Sequence, residues 1–172
     1  MHSLRGPRSA DGHQYRIRVV RAEHHPQQIK QLLEIDLMTF SVPTFSRYTA
    51  GLMLRHGRTF LMLADEQVIG TCGVVRSFDR PSEAVIFSHA IRPGWRGRGL
   101  GTRFLKEVLM HLREDGMRSA IIDVEPDNAQ AIRIYEDRFG FEQVGVEVGL
   151  FGVGEDRMIL RRIFQPAERS QS

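Results

Sequence analysis

Apolar residues recur along this 172-residue chain with two periods, and the period changes from one segment to the next. Residues 27–40 carry apolar side chains three and four positions apart, which predicts an amphipathic helix with one buried face. Residues 45–56 show a second helical pattern, and Gly57 is a natural stop for it. The stripe of this second helix is predicted to hold Phe45, Thr49, Leu52, Met53 and His56.

Strand-like runs account for most of the remaining pattern. Alternating or continuous apolar runs bounded by turn residues are typical of strands and hairpins. Strands are therefore predicted at residues 15–21, 59–64, 68–78, 84–91 and 119–124, with a closing hairpin of residues 141–151 and 157–164.

Two further helices fall between these strands. The first is predicted at residues 101–114, before Gly116, and the second at residues 129–138, before Gly140. The core face of the first is predicted to hold Phe104, Leu105, Val108, Leu109 and Leu112.

The order of these elements predicts an α/β fold, in which helices cover both faces of one mixed sheet. The strands on either side of helix 101–114 are expected to be parallel, joined by a right-handed crossover. Since no repeat or linker interrupts the chain, residues 15–164 are predicted to form a single domain. Residues 1–14 are expected to be a flexible N-terminal tail, and residues 165–172 a C-terminal tail.

Composition narrows the class of protein. Hydrophobic residues make up 41% and charged residues 26%, which is typical of a soluble globular protein. The N-terminal segment lacks the apolar centre of a secretory signal, and the lone Cys72 excludes an internal disulfide, so we expect a cytoplasmic location. The net charge of +3 is spread along the chain, so we expect neither nucleic acid nor membrane as a partner.

The segment 91–102, between a predicted strand and a predicted helix, gives the clearest indication of a ligand-binding site. Its glycines allow a tight turn and close approach of the backbone to a ligand. Free amides at the start of the helix favour an anion, and Arg96 and Arg98 add positive charge. The segment is neither a Walker loop nor the dinucleotide fingerprint, because the spacing of Gly97, Gly99 and Gly101 fits neither pattern. It predicts a pyrophosphate-binding loop of another kind.

Two motifs in this chain resemble those of the GNAT superfamily of N-acetyltransferases. Arg96-x-x-Gly99-x-Gly101 is similar to the central motif of that family. Asn128-x-x-Ala131-x-x-x-Tyr135, followed by Phe139-Gly140-Phe141, is similar to its second conserved block. The resemblance covers residues 15–164 and is specific, because both motifs lie in the expected order on the expected elements.

The resemblance implies a mostly antiparallel sheet in which a splayed parallel strand pair holds acetyl-CoA. It places pantetheine along the first of these strands, pyrophosphate on the loop amides, and the thioester beside the second motif. No metal is implied, and His24 and His25 lack partners at metal-ligand spacing. The implied cofactor-binding residues are Ala90, Ile91, Arg96, Gly97, Arg98, Gly99, Leu100, Gly101, Thr102, Asn128, Ala131 and Tyr135.

The implied reaction is direct transfer of an acetyl group to a primary amine, either of a small molecule or of a protein N-terminus. Tyr135 is the expected general acid for the departing thiolate. Asp123 and His89 are rival candidates for the general base that takes the proton of the amine. The alternative is a non-catalytic acyl-CoA-binding regulatory domain, and a homodimer stays open.

Within the superfamily, the layout is similar to the ribosomal-protein alanine N-acetyltransferases. Asp123 stands where those enzymes carry an acidic residue, and residues 34–43 resemble the helix and loop that precede their substrate site. The chain departs from them at residues 42–45, where Val-Pro-Thr-Phe replaces the usual Pro-Trp.

Overall fold

The computed structural model describes residues 4–8, 14–23, 26–40 and 44–165. The chain falls into two compact units, each built from two separate segments. The first contains Met1–Val75 and Phe87–Val108, and the second contains Arg76–Ile86 and Leu109–Ser172. The single domain expected over residues 15–164 stays a prediction.

The described elements follow the predicted order, with one additional strand at the start. The strands are β1 (Leu4–Arg8), β2 (Gln14–Arg21), β3 (Arg58–Ala64), β4 (Gln67–Arg76), β5 (Glu83–Ile91), β6 (Ser119–Val124), β7 (Glu142–Glu147) and β8 (Arg157–Ile163). The helices are α1 (Pro26–Thr39), α2 (Arg47–His56), α3 (Leu100–Glu114) and α4 (Ala129–Arg133), with a 3₁₀ turn at Pro93–Trp95 and a π-helical turn at Ile134–Arg138.

In the first unit the strand order is β1-β2-β3-β4-β5. The β2–β3 and β3–β4 pairs are antiparallel, with Ile17 opposite Ala64 and Phe60 opposite Cys72. One core cluster brings Ile35 of α1 and Leu54 of α2 together with buried side chains of the strands. Phe104 and Leu105 at the start of α3 are fully buried, as the predicted stripe of that helix requires.

Helices contact both faces of the sheet within this unit. On one side of β5, Phe87 lies 5.6 Å from the ring of Phe45, which follows α1. On the other side, the ring of His89 lies 5.6 Å from that of Phe104 in α3. The predicted placement of helices on both faces is therefore confirmed.

The predicted stripe of α2 is confirmed at Met53, which packs against a core cluster, and is wrong at Thr49, Leu52 and His56, which are exposed. Ser46 caps the helix, accepting a hydrogen bond from the Thr49 amide at 3.1 Å, so Phe45 precedes the helix instead of lying on it. The buried residues of α2 are Ala50 and Leu54, while Leu52 is exposed.

Residues 4–8, within the segment expected to be a flexible tail, form β1. This strand pairs antiparallel with β2, with Leu4 opposite Ile17. Its sequence, Leu-Arg-Gly-Pro-Arg, has no strand periodicity and contains Pro7. Proline is tolerated at the edge of a sheet, where an amide need not donate, and β1 is the terminal strand of this order.

In the second unit the strand order is β5-β6-β8-β7. Glu83–Ile86 of β5 pair in parallel with Ser119–Ile122 of β6, as predicted, while the β6–β8 and β8–β7 pairs are antiparallel. One parallel pair in a mostly antiparallel sheet confirms the predicted fold class. No helix within the described ranges is long and apolar enough to cross a membrane.

The side chain of Glu83 joins three strands of this unit. It is 4% exposed, and its carboxylate accepts from Arg161 Nε at 2.8 Å and from Ser119 Oγ at 3.1 Å. These partners lie on β8 and β6. A carboxylate removed from water is stabilised only when such donors replace its hydration, so this group fixes the start of β5.

Glu83→Ala should lower the free energy of unfolding by about 2–4 kcal/mol, because it leaves Arg161 without its buried partner. Urea unfolding measures the loss. Asp79→Ala, at an exposed loop position, is the control and should change stability by less than about 0.5 kcal/mol. Equal effects of the two variants would contradict a structural role for Glu83.

Candidate functional site

The predicted pyrophosphate loop is an open turn that leads into α3. Gly97 and Gly99 have φ of 75° and 70°, in the left-handed region that side chains rarely adopt. A Cβ built at either position meets nothing within 4 Å. The space beside these glycines is therefore free for a ligand to approach the backbone.

The first turn of α3 presents amides at the same loop. The first helical hydrogen bond runs from the Arg103 amide to the Gly99 carbonyl at 3.1 Å. The amides of Leu100, Gly101 and Thr102 come before it and have no acceptor within the helix. Together with the helix dipole, they favour an anion at this position.

The arginines of the loop also hold the loop itself. Arg96 Nε donates to the Ile91 carbonyl at 2.9 Å, which ties the turn to the end of β5. The guanidinium of Arg98 lies 5.4 Å from the centre of the Trp95 ring, and its Nη2 lies 3.4 Å from the Gly94 carbonyl. Both side chains therefore combine positive charge with a structural contact.

Strand β5 leads into this loop, and sequence reasoning missed its main irregularity. Ala90 and Ile91, expected to pair with pantetheine, are 3% and 8% exposed. Two residues earlier, Ser88 has φ of 52°, and its Oγ donates to Asp36 Oδ1 at 3.2 Å. No pattern in the sequence predicts this conformation, because a serine at this position is compatible with the ordinary alternation of side chains along a strand.

His89 is enclosed near the start of α3. Its ring packs against Phe104, and its Cε1 lies 3.9 Å from a Cβ built at Gly101. Burial lowers the pKa of His89 to about 4, although a backbone hydrogen bond with Gly101 opposes the shift. Nε2 is buried without a hydrogen-bond partner among the described residues. A buried, neutral imidazole of low basicity is poorly suited to accept a proton from an amine.

The second motif lies in the second unit. Asn128 is the N-cap of α4, and its Oδ1 accepts from the Ala131 amide at 3.1 Å. The helix then widens into the π-helical turn that contains Tyr135, so the regular helix predicted to Arg138 ends at Arg133. The Tyr135 side chain is 9% exposed and lies 6.0 Å from the ring of Phe141.

Asp123 lies in an acidic cluster around one arginine. Arg157 Nε is 3.6 Å from Asp123, while its Nη2 is 3.7 Å from Glu125 and 4.0 Å from Glu155. Burial raises the pKa of Asp123, Arg157 opposes the shift, and Glu147 adds to it. One cation thus faces several carboxylates, a grouping that sequence analysis missed because β8 and the preceding loop bring Arg157 to Asp123 only after folding.

The donor set of the loop fits the diphosphate of acetyl-CoA, since a Cβ at Gly97 or Gly99 would fill the space that the backbone leaves open.

Within the described ranges, no three histidine, cysteine or acidic side chains group as metal ligands would. His24 and His25 lie outside the described residues, as do residues 41–43 of the 34–43 segment. Burial raises the pKa of the Cys72 thiol, which disfavours a nucleophilic role.

Comparisons with curated proteins point to one family. The mycothiol acetyltransferase of Rhodococcus opacus is 39% identical over 70 residues, covering 41% of this chain and 23% of that protein. The mycothiol acetyltransferase of Mycobacteroides abscessus is 31% identical over 102 residues, covering 59% and 32%. The chain thus spans about a quarter to a third of the length of these relatives.

Solved structures share the fold. The ribosomal-protein-alanine N-acetyltransferase of Brucella melitensis superposes with a TM-score of 0.70 at 18% identity, covering 86% of this chain and 99% of that one. A Bacillus subtilis acetyltransferase in complex with CoA has a TM-score of 0.69 at 14% identity, covering 87% and 99%. The family model for acetyltransferases of the GNAT family matches residues 27–141, which include both motifs. The chain therefore belongs to the GNAT family of acetyltransferases.

Proposed function

We propose that this chain is an acetyl-CoA-dependent N-acetyltransferase that moves the acetyl group directly to a primary amine. The observation that carries the proposal is the loop at residues 96–102. It combines two glycines of positive φ, open space at both, and the free amides of a helix start. That combination suits a diphosphate, and a relative of the same fold was solved with CoA.

In this proposal acetyl-CoA supplies an activated acetyl group, and the chain binds and orients it. The amides of Gly97–Thr102 hold the diphosphate. The positive charges of Arg96 and Arg98 lower the electrostatic energy of an anion bound nearby. Ala90 and Ile91 offer backbone groups to pantetheine. Because the Ile91 carbonyl already accepts from Arg96, its second lone pair is the one that remains for a ligand.

The acidic cluster around Arg157 supports an amine as acceptor. Asp123, Glu125 and Glu155 share one guanidinium, so the cluster carries excess negative charge that attracts an ammonium group. The raised pKa of Asp123 also brings this carboxylate closer to the basicity that a general base needs. We therefore favour Asp123 over His89 as the base, acting directly or through water.

Tyr135 is the proposed general acid. A departing thiolate gains stability when a hydroxyl donates its proton, and packing against Phe141 holds the mostly buried ring that carries this hydroxyl. The names of relatives suggest acceptors of two kinds, a small thiol-related molecule and a protein N-terminus. A screen of both classes of amine, with detection of released CoA thiol, identifies the acceptor.

A non-catalytic acyl-CoA-binding domain is the second candidate. It needs the loop but has no use for a proton donor at Tyr135 or a carboxylate at Asp123. Release of CoA in the presence of an amine, at a rate above hydrolysis alone, separates the enzyme from this alternative.

Gly99→Ala should weaken CoA binding about tenfold or more, because a Cβ would stand where the backbone meets the ligand. The matched control is Gly116→Ala, since Gly116 also has a positive φ, 80°, and open space at its Cβ. Both variants should lose about 1–2 kcal/mol of stability from backbone strain. Only Gly99→Ala should lose the CoA-induced rise in melting temperature; loss of that rise in both variants, or in neither, would argue against the loop as the site.

Tyr135→Phe removes one hydroxyl and keeps the ring. We expect kcat to fall about a hundredfold while the Kd of acetyl-CoA changes little, because the hydroxyl acts only as the thiolate leaves. Steady-state kinetics and calorimetry measure the two quantities. Tyr48→Phe is the control, because Tyr48 is 75% exposed. Full activity of Tyr135→Phe would exclude Tyr135 as the acid.

Asp123→Asn should reduce kcat/KM most at low pH, where the amine is protonated, and kcat/KM should recover as pH approaches the amine pKa of about 10.

Asp123→Asn should also change how the free energy of unfolding depends on pH. Burial raises the pKa of Asp123 above 3.8, so the folded state binds the proton of this carboxyl more tightly than the unfolded state does. The resulting stabilisation of the folded state is complete below pH 3.8 and is lost as pH rises through the folded-state pKa.

The free energy of unfolding of Asp123→Asn should therefore increase relative to that of the wild type as pH rises above about 4. Urea unfolding at several pH values measures this difference. Asp127→Asn, at an exposed position four residues away, should show neither effect. A difference that is flat with pH, or that favours the wild type as pH rises, would contradict the assignment of a raised pKa.

A further inference from the structure

Two consecutive residues of β5 face the same side of the sheet. Phe87 contacts Phe45, and Ser88 contacts Asp36, so both point toward α1 and the segment that follows it. In a regular strand, neighbouring side chains alternate between faces. The strand resumes alternation at His89, which contacts α3, and Ala90, which packs in the cluster with Ile35 of α1. Residues 87 and 88 therefore form a bulge.

The bulge depends on a conformation that serine disfavours. Ser88 has φ of 52°, one of two positive φ values among the non-glycine residues described, and the other, at Asp65, lies in a turn. A left-handed residue inside a strand persists only when its surroundings hold it there.

A buried carboxylate supplies that restraint. Asp36 is 1% exposed, and its two oxygens have different partners. Oδ1 accepts from Ser88 Oγ at 3.2 Å, and Oδ2 accepts from the Phe45 amide at 3.0 Å. The carboxylate thus connects β5, α1 and the start of the segment before α2, and it is satisfied only while Ser88 keeps its conformation.

The position of the bulge gives it a consequence for the ligand. The parallel ladder of β5 ends at Ile86, and the residues proposed to face pantetheine, Ala90 and Ile91, follow the bulge. Because side chains alternate with a period of two, removal of the extra residue would turn every later residue of β5 to the opposite face. The backbone groups of Ala90 and Ile91 would then turn as well.

We propose that Asp36 is a positioning residue for the cofactor, which holds Ser88 in the left-handed conformation and thereby sets the backbone of Ala90 and Ile91 for CoA. The inference rests on the proposed function, since its ligand is CoA. It assigns control over the CoA affinity of β5 to a side chain on α1 that lies in neither motif and that binds the strand through the hydroxyl of Ser88.

A pair of variants at Ser88 tests this inference. Ser88→Ala and Ser88→Gly both remove the hydroxyl and its bond to Asp36, but only alanine is strained at positive φ. We expect Ser88→Ala to raise the Kd of CoA about tenfold, since part of the population leaves the binding-competent conformation. Ser88→Gly should stay within about threefold of the wild type. Calorimetry with CoA measures both without any acceptor.

A double-mutant cycle tests the role of Asp36. Asp36→Ala removes both acceptor oxygens, so it satisfies neither the Ser88 hydroxyl nor the Phe45 amide. It should weaken CoA binding about tenfold in the wild-type background, and much less in the background of Ser88→Gly, which needs no restraint. Leu37→Ala, on the exposed side of the same helix, is the control and should leave the Kd unchanged.

Each outcome is decisive. Equal losses in Ser88→Ala and Ser88→Gly, or additive losses in the cycle, would show that the hydroxyl or general stability matters and would overturn the inference. Unchanged affinity in Ser88→Ala would overturn it too. Wild-type protein that binds no CoA at millimolar concentration would instead overturn the proposed function, and this inference with it.

Discussion

Both units of this protein depend on strand β5, because Glu83–Ile86 belong to one unit and Phe87–Ile91 belong to the other. Its first residues pair in parallel with β6, and Glu83 secures that end through Arg161 and Ser119. Its last residues follow the bulge at Ser88, which Asp36 restrains. Two buried carboxylates, each satisfied by specific donors, therefore fix a single strand. A buried carboxylate is costly unless its partners are in place, so both groups make the conformation of β5 specific.

The candidate chemistry follows from what that strand leads to. After β5 the chain turns at two glycines of positive φ and enters α3. The free amides at the start of α3 suit a diphosphate. In the second unit, Asp123 shares Arg157 with other carboxylates, and burial raises its pKa. In the proposed function, the backbone amides provide positive potential for the diphosphate of the donor, and the carboxylates provide negative potential for an acceptor amine.

Much of the fold was predictable from the sequence, because it rests on local signals. The stripe of α3 is strongly periodic, and its five predicted core residues are all buried. The stripe of α2 was only partly correct, since the cap at Ser46 places Phe45 before the helix and the buried residues are Ala50 and Leu54. Strand β1 was missed because its pairing with β2 comes from tertiary context and its sequence contains glycine and proline. The loop at residues 96–102 was predictable because glycine and helix signals are local too.

The parts of the site that the sequence did not predict all need contacts between distant residues. Ser88 has a left-handed conformation and donates to Asp36, 52 positions away in the sequence. Arg157 reaches Asp123 only after β8 pairs with β6. His89 was a candidate base by position alone, and its burial beside Phe104 argues against that role.

In the proposed function the loop backbone, rather than any one side chain, holds the diphosphate of CoA. Hydrogen exchange of the backbone amides with and without saturating CoA tests this role, because each amide reports its own hydrogen bond. We expect CoA to slow exchange at Gly97–Thr102, with further protection at Ala90 and Ile91. CoA binding that leaves the amides of Gly97–Thr102 exchanging at their free rate would contradict it.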